Sequence, residues 1–104
     1  MSSIMRSDGS GGDTLYVESY GHPRASGVGG LLNYAIYMDG KEVFRFATRI
    51  MASVTKEAVA AAGLTLQDIN IIIPHQANRR IIEAAARGLN LPEEKFMINI
   101  EKYG

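Results

Sequence analysis

Cysteine is absent from this chain of 104 residues, and neither sign of charge is in excess. Without cysteine the chain has no disulfide, no thiolate metal site and no thiol nucleophile. Its eleven basic and eleven acidic side chains give a formal net charge of zero. Proteins that bind nucleic acid or a membrane surface normally carry a basic excess, so neither partner is expected.

Long apolar runs are also missing. No segment approaches the roughly 20 apolar residues that span a bilayer, and residues 1–13 lack the apolar centre of a secretion signal. The chain has the length of one small domain, and 46% of its residues are hydrophobic, which is ordinary for a folded protein. We therefore expect a soluble protein of the cytoplasm.

The first third of the chain has little regular pattern. Two short strand-like runs, residues 4–6 and 14–18, flank the turn-forming residues 8–12 and predict a hairpin. A glycine-rich loop is predicted over residues 19–33. It lacks the G-x-G-x-x-G spacing of a dinucleotide site, and His22 within it is expected to be exposed and without function.

A long amphipathic helix is predicted from residue 40. Apolar side chains recur there at spacings of three and four, which indicates a helix of roughly six turns. This stripe consists of Val43, Ala47, Ile50, Val54, Ala58 and Ala61. Gly63 is placed to end the helix in a left-handed conformation. Thr65 and Asp68 have the form of a capping box, which predicts one further helical turn.

The remainder predicts a strand, a helix and a strand. Residues 69–73 are apolar at nearly every position, as in a strand buried on both faces, and residues 96–100 form another apolar run. Between them, residues 76–89 predict a second helix whose inner face carries Ile81, Ile82, Ala85 and Leu89. Such an order predicts a right-handed βαβ unit with parallel strands. The expected class is α/β, with a hairpin and loop region over residues 1–39 and an α-β-α-β core over residues 40–104.

His75 lies where the first predicted strand turns into the second helix. Open α/β sheets bind ligands at such connections, and a neutral imidazole can donate a hydrogen bond to a carbonyl or a developing oxyanion. Asn78 is expected on the first turn of the helix, facing the same rim. Alternatively, His75 only ends the strand after Pro74 and Asn78 only helps the helix to start; both interpretations remain open. No metal site is expected, because His75 has no second ligand nearby in sequence.

The string "PHQANRRII" closely resembles the histidine motif of the β-ketoacyl-acyl-carrier-protein synthase III family, condensing enzymes that start fatty-acid synthesis. The segments "RSDGSGG", "MDGKEVFRFAT" and "INIEKYG" match that family in the same order. The resemblance covers nearly all of the chain and is weakest over residues 19–33. It implies a partial thiolase-like half-domain, taken from the second of two similar α/β halves of an enzyme that is usually a homodimer.

The resemblance also implies an acyltransferase activity for the parent protein. In that family a cysteine of the first half accepts the acyl group of acyl-CoA, and decarboxylation of malonyl-carrier protein supplies a carbanion that gives a 3-oxoacyl product. The matching histidine, His75, is implied to stabilise the malonyl thioester enolate. The family's catalytic asparagine follows the "KYG" motif, which here ends at Gly104. We therefore expect a fragment that has no condensing activity alone.

Further residues receive roles only through the resemblance. Asn78 matches a residue that contacts the pantetheine arm, and Lys41 matches one near the nucleotide end of CoA. No cofactor is implied, since CoA and phosphopantetheine thioesters are the substrates.

Three arginines match basic positions that receive the acidic carrier protein around the mouth of the active site. They are Arg45, Arg80 and Arg87. The alternative is a solvated helix face, on which Arg79, Glu83 and Arg87 have the spacing of weak i,i+4 ion pairs.

Two interpretations of the whole chain stay open. It is either a piece of the acyltransferase or a non-catalytic module that binds acyl-carrier protein or another condensing-enzyme chain. Among enzymes, starter-unit synthases of polyketide pathways share the same motifs. Because the family's sheet continues past this sequence, an apolar edge at residues 96–100 is expected to be open, which predicts self-association.

Overall fold

The computed structural model describes residues 1–17 and 36–103. Its strands are β1 (Leu15–Val17) and β2 (Ile36–Met38), and its helices are α1 (Gly40–Ala61), α2 (Arg79–Leu89) and α3 (Ile100–Tyr103), with 3₁₀ turns at Leu66–Asp68 and Glu93–Lys95. The chain divides into a smaller unit, Ser7–Val43, and a larger unit formed by Met1–Arg6 and Phe44–Gly104. The fold is a small mixed α/β arrangement, so the predicted class is confirmed.

The two strands of the smaller unit pair with each other in antiparallel register. Tyr16 lies opposite Tyr37, and their rings stack with centroids 4.8 Å apart, a cross-strand contact that stabilises such a ladder. The predicted hairpin is therefore wrong, because residues 4–6 form no strand and β1 takes β2 as its partner. The predicted loop at 19–33, with His22, lies outside the described residues.

The glycine-rich residues 8–12, between the predicted runs 4–6 and 14–18, form consecutive tight turns. The amide of Gly12 donates to the carbonyl of Gly9, and the amide of Thr14 donates to that of Gly11. The Asp8 carboxylate accepts from both the amide and the hydroxyl of Ser10. These local bonds are the ones that Gly, Asp and Ser favour in turns, and they do not require a strand on each side.

Helix α1 begins at a capping residue that the periodicity alone did not reveal. Asp39 Oδ1 accepts the backbone N–H groups of Lys41 and Glu42, each at 3.1 Å. Its own amide donates to the carbonyl of Thr14 at 2.7 Å. An aspartate at this position satisfies donors that a helix start leaves unpaired.

The end of α1 follows the prediction. Gly63 adopts a left-handed φ of 72°, and the amide of Leu64 donates to the carbonyl of Val59 at 3.1 Å. This is the bond of a Schellman cap, for which glycine is the favoured residue. Of the predicted apolar stripe, only Ala61 is exposed.

The predicted capping box is also confirmed. The amide of Thr65 donates to Asp68 Oδ2 at 2.8 Å, and the Thr65 hydroxyl donates to the same oxygen at 2.7 Å. These two bonds hold the pKa of the Asp68 carboxyl below its usual value, and the backbone bond has the larger effect. Both stabilise the charged form.

The buried core belongs almost entirely to α2. The side chains predicted for its inner face are all buried, and Ala86 and Phe96 join them: Ile81, Ile82, Ala85, Ala86, Leu89 and Phe96. The predicted start was wrong, since the helix begins at Arg79 and residue 76 lies outside it. At the other end, Asn90 takes a left-handed φ of 53°.

Two extended segments flank α2, joined by a single parallel bridge between Ile72 and Phe96. The amide of Ile72 donates to Lys95 at 2.7 Å, and its carbonyl accepts from Met97 at 2.9 Å. Full strands over 69–73 and 96–100 were predicted wrongly: one bridge forms, and α3 begins at residue 100. Burial on both faces was also wrong, because Ile71 is 55% and Ile73 69% exposed. A parallel strand is buried only where other elements cover both faces, and within the described residues these two side chains lack that cover.

Candidate functional site

His75 lies between the parallel bridge and the start of α2. Pro74 before it is half-buried, whereas the His75 side chain is exposed. The imidazole is therefore accessible at the carboxyl end of a parallel pair, followed closely by a helix N-terminus. The sequence predicted this position from the strand-to-helix connection, and ligands of α/β folds bind at such ends.

Gln76 holds the segment that carries His75. Its Nε2 group donates to the carbonyl of Pro74 at 3.0 Å and to that of Met97 at 2.9 Å. Its Oε1 accepts the amide of Asn99 at 2.9 Å. Two of these hydrogen bonds fasten the half-buried Gln76 side chain to residues 97–99, and the third holds it to Pro74 in its own segment.

Asn78 is the N-cap of α2. Its backbone is extended, with φ −162° and ψ 123°, and its Oδ1 accepts the amide of Arg80 at 2.9 Å. The sequence predicts Asn78 on the first turn of the helix. This is wrong, because Asn78 precedes that turn as the N-cap. The cap uses only the side-chain oxygen, so the exposed Nδ2 group stays available as a donor.

Arg79, the first residue of α2, is surrounded by carboxylates. Its guanidinium contacts Glu83 at 2.8 Å, Glu93 at 3.0 Å and Glu101 at 2.8 Å. The hydrogen bonds to Glu83 and Glu101, and the charges of Glu101 and Glu93, raise the pKa of Arg79 above its usual value. This cluster, which we call the Arg79 cluster, ties the start of α2 to the second 3₁₀ turn and to α3.

Arg80 points elsewhere. Its guanidinium lies over the ring of Phe44, 5.7 Å from the centroid, a cation–π contact worth about 0.5–1 kcal/mol at an exposed site. Glu83, three residues further along α2, pairs with Arg79.

Two other arginines of the larger unit were assigned to docking by resemblance. Arg45 is exposed and directly follows Phe44 on α1. Arg87 is exposed about 10 Å further along α2, and it forms no ion pair with the residues that the structure describes. Of the two ion pairs in the alternative interpretation, Arg79–Glu83 forms and Glu83–Arg87 does not, among the described residues.

Lys41 is exposed in the first turn of α1 and belongs to the smaller unit. Its backbone amide takes part in the Asp39 cap. Across residues 1–17 and 36–103, no group of three or more His, Cys, Asp or Glu residues lies close enough to hold a metal ion. Over the same residues, no helix is both long and apolar enough to cross a membrane.

Comparison with known proteins gives a consistent result. Residues 59–104 match the family described as 3-oxoacyl-[acyl-carrier-protein (ACP)] synthase III C terminal. The β-ketoacyl-[acyl-carrier-protein] synthase III of Syntrophomonas wolfei is 43% identical over 107 residues, which covers 100% of this chain and 32% of the relative. The chain belongs to the synthase III family. It spans about a third of the length of the curated relatives that it matches.

Solved structures extend this likeness to the fold. A synthase III structure from Thermus thermophilus superimposes with a TM-score of 0.83 at 44% identity, covering 99% of this chain and 32% of that one. The priming β-ketosynthase of the R1128 polyketide pathway superimposes with a TM-score of 0.68 at 35% identity, covering 90% of this chain and 28% of that one. The thiolase-like fold predicted by resemblance is thus shown for this synthase III chain.

Sequence reasoning missed two residues of this region. Gln76 was treated only as the start of a helix, and Arg79 only as part of an exposed face. The available signal for Gln76 was its place two residues after Pro74, where a strand loses a backbone donor. For Arg79 there was no local signal from Glu93 or Glu101, because these residues contact it only in the folded chain.

Proposed function

We propose that this chain contributes the enolate-stabilising histidine to a fatty-acid-initiating condensing enzyme, an acyltransferase that joins acyl-CoA and malonyl-carrier protein into 3-oxoacyl-carrier protein. The observation that carries the proposal is the exposed His75 at the carboxyl end of the parallel bridge, fastened by Gln76. Membership of the synthase III family supports the reaction class.

The chemical role of His75 follows from where charge develops. Loss of carbon dioxide breaks a carbon–carbon bond of the malonyl group and leaves its electron pair delocalised onto the thioester oxygen. An imidazole N–H that donates to this oxygen binds the enolate more strongly than the neutral carbonyl, and that difference lowers the barrier. The carbanion then attacks the carbonyl carbon of an acyl thioester: a carbon–carbon bond forms, the acyl carbon–sulfur bond breaks, and the cysteine leaves as a thiolate. That cysteine must come from outside this cysteine-free chain. Alone, the chain is expected to catalyse no condensation.

Asn78 and Lys41 are proposed to contact the thioester substrates. The exposed Nδ2 group of Asn78 supplies a donor for an amide carbonyl of the pantetheine arm, while its Oδ1 keeps the helix capped. Lys41 supplies a cation for the nucleotide end of CoA.

Arg45, Arg80 and Arg87 are proposed to receive the acidic carrier protein. The structure separates Arg80 from its neighbour by environment: three carboxylates neutralise Arg79, whereas Arg80 lies over an uncharged ring. An anionic partner is attracted to the arginine whose charge is not already compensated. Acyl-carrier protein and acyl-CoA are thus the proposed partners, and we place the whole enzyme in the cytoplasm as a homodimer.

Two other functions compete with this one. The likeness to a priming β-ketosynthase favours a polyketide starter-unit synthase as the second candidate. A module that binds carrier protein without catalysing any step is the third, and it needs the arginines but not His75.

The deciding experiment has two arms. In the first, a full-length synthase III carries this sequence in place of its matching third, and we expect His75→Ala to lower malonyl decarboxylation by at least about 100-fold, the usual worth of one oxyanion donor. In the second, the chain itself is titrated with malonyl-carrier protein in ¹⁵N–¹H spectra. Shifts confined to Arg45, His75, Asn78, Arg80 and Arg87 support docking. Docking without an effect of His75→Ala supports the non-catalytic module.

A further inference from the structure

The parallel pairing around Ile72 stops where Pro74 removes a donor. In a regular parallel ladder, the N–H of a residue donates to the neighbouring strand and its C=O accepts from a residue two positions further along that strand. The residue two positions later repeats both bonds. Ile72 obeys it, donating to Lys95 and accepting from Met97. The next rung would join the Pro74 amide to the Met97 carbonyl and the Asn99 amide to the Pro74 carbonyl. Proline has no N–H, so the first of these bonds cannot form.

The side chain of Gln76 supplies the missing rung. Its Nε2 donates to the Met97 carbonyl at 2.9 Å, which is the bond that Pro74 cannot make. Its Oε1 accepts the Asn99 amide at 2.9 Å, the bond that the Pro74 carbonyl would otherwise take. The second Nε2 proton then satisfies that carbonyl at 3.0 Å. A carboxamide has the same donor and acceptor arrangement as a peptide group, so it replaces one here without leaving a buried partner unpaired.

The Gln76 side chain, by taking the place of the missing rung, constrains the backbone at His75. The bond from Gln76 Nε2 to the Pro74 carbonyl closes a ring that contains the whole His75 backbone. The bonds to Met97 and Asn99 anchor that ring on the neighbouring segment. The proline ring fixes φ on one side, and the N-cap at Asn78 fixes the chain on the other. The direction in which the His75 side chain leaves the backbone is set by these constraints.

We propose that Gln76 is the positioning residue of His75: its side-chain amide acts as a surrogate peptide that ends the parallel pair and presents the imidazole at its carboxyl end. The role rests on the proposed function of His75, although the hydrogen-bond arrangement itself does not. Gln76 touches no substrate in this scheme and acts only through the backbone that it holds. A merely structural Gln76 would stabilise the larger unit without controlling His75.

The first test uses the unaltered chain. Scalar couplings across hydrogen bonds are measured by NMR between the Asn99 amide nitrogen and the Gln76 side-chain carbonyl carbon, and between Gln76 Nε2 and the Met97 carbonyl carbon. Both couplings are expected. Their absence, with a Gln76 side chain averaging over rotamers, overturns the proposal without any variant that has to fold.

The second test removes the amide. Gln76→Met keeps the length and loses every hydrogen bond, whereas Gln76→Glu places a carboxylate against two carbonyls. We expect the backbone order parameter of His75 to fall from about 0.85 to below about 0.6 in both variants at neutral pH, and the Asn99 amide to exchange about tenfold faster. Ile82 and Leu89 in the core are expected to keep their wild-type values. The control is Gln67→Glu, which makes the same change at an exposed residue.

Acid provides a rescue that a purely structural role would not predict. The carboxyl introduced by Gln76→Glu faces two carbonyls, which favour its protonated form and raise its pKa. Once protonated, it has one O–H, which donates to Met97, and it still accepts from Asn99. His75 should therefore regain part of its order as the pH falls below about 5, without the bond to the Pro74 carbonyl. The Gln76→Met variant should show no such recovery.

The outcomes separate the two proposals. Variants that lower the melting temperature but leave the His75 order parameter unchanged reduce Gln76 to a structural residue. If both couplings and the acid rescue are found while His75→Ala leaves decarboxylation unaffected, the positioning stands and the proposed function fails. If the couplings are absent and His75→Ala is inactive, the proposed function stands alone.

Discussion

Arg80 lies over the ring of Phe44, 5.7 Å from its centroid, while the adjacent Arg79 is enclosed by three glutamates. Two consecutive arginines thus have opposite electrostatic surroundings. One is compensated within the fold, and the other presents its charge beside an aromatic side chain. The sequence "RR" gives no hint of this division, which depends on residues from α1, α3 and the second 3₁₀ turn.

Arg80→Ala is expected to weaken binding of acyl-carrier protein roughly two- to fivefold at low salt, the range of an exposed charge pair. Because exposed charges are screened by ions, the difference from wild type should shrink in 0.5 M salt, where the Debye length is only about 4 Å. Isothermal titration calorimetry of the chain at both salt concentrations measures it.

The matched control is Arg79→Ala. It removes the same charge from the neighbouring position, yet its main effect should be a lower melting temperature, because Glu83, Glu93 and Glu101 then repel one another. Equal losses of carrier-protein affinity in the two variants would contradict the division between Arg79 and Arg80.

Asn78 has two separable tasks. Asn78→Ala should destabilise the chain by about 1 kcal/mol through loss of the N-cap. Asn78→Ser keeps a capping oxygen but has no Nδ2 group, so stability should stay near wild type while pantetheine binding weakens. Thermal unfolding and a pantetheine titration monitored at the Arg80 amide check the two effects. A serine variant that binds as well as wild type would leave Asn78 only its capping task.

Asp68 should make stability depend on pH in the acid range. Its folded-state pKa is lowered from 3.8 by the Thr65 bonds, so in acid the unfolded state binds more protons than the folded state. The stabilisation is fully present above the unfolded-state pKa. It is lost as the pH falls through the lower, folded-state pKa. Urea unfolding between pH 6 and pH 2 should show a smaller loss of stability in Asp68→Asn than in wild type, in which the other carboxylates also titrate.

Thr65→Val provides the intermediate case. It deletes the hydroxyl bond and retains the backbone N–H bond, which is the larger cause of the lowered pKa. A pH dependence as flat as that of Asp68→Asn would mean that the hydroxyl, and not the amide, carries the effect.

Self-association was predicted from an open apolar edge at residues 96–100, but Phe96 is buried. We now expect it to involve the exposed isoleucines of residues 69–73. Ile71 is 55% and Ile73 69% exposed, and apolar side chains next to unpaired strand edges favour pairing between copies. We expect concentration-dependent oligomers in sedimentation velocity, reduced by Ile71→Lys with Ile73→Lys. The control is Leu64→Lys, at an exposed apolar residue next to the α1 cap. A monomer at all concentrations would refute the prediction.

Helices α1 and α2 were predictable because their signals are local, whereas α3 was not predicted. The inner face of α2, the Gly63 cap and the Thr65–Asp68 box each depend on residues within a few positions of one another. The pairing of the strands was not predictable: the run at 14–18 was expected and contains β1, but its partner β2 follows only at residue 36. Residues 69–73 and 96–100 carried a strand composition, but a strand also needs a neighbour for each edge, and one bridge is what the larger unit provides.

The candidate site shows the same limit. His75 could be found from its connection and its motif, and its catalytic role remains a prediction. Gln76 could not be found, because its importance arises from a donor that Pro74 lacks and from acceptors 21 and 23 residues away. An isolated glutamine in a sequence carries no record of which backbone groups it completes.

The concentration of the buried core on α2 also bears on the order of folding. Ile81, Ile82, Ala85, Ala86, Leu89 and Phe96 all lie within residues 81–96, so their collapse closes only short loops, and contacts close in sequence form fast. The β1–β2 ladder must close a longer loop and buries little in return, since Ile36 stays 71% exposed. In refolding, α2 should therefore acquire amide protection first, and the segment that carries His75 should be fixed before the two short strands meet.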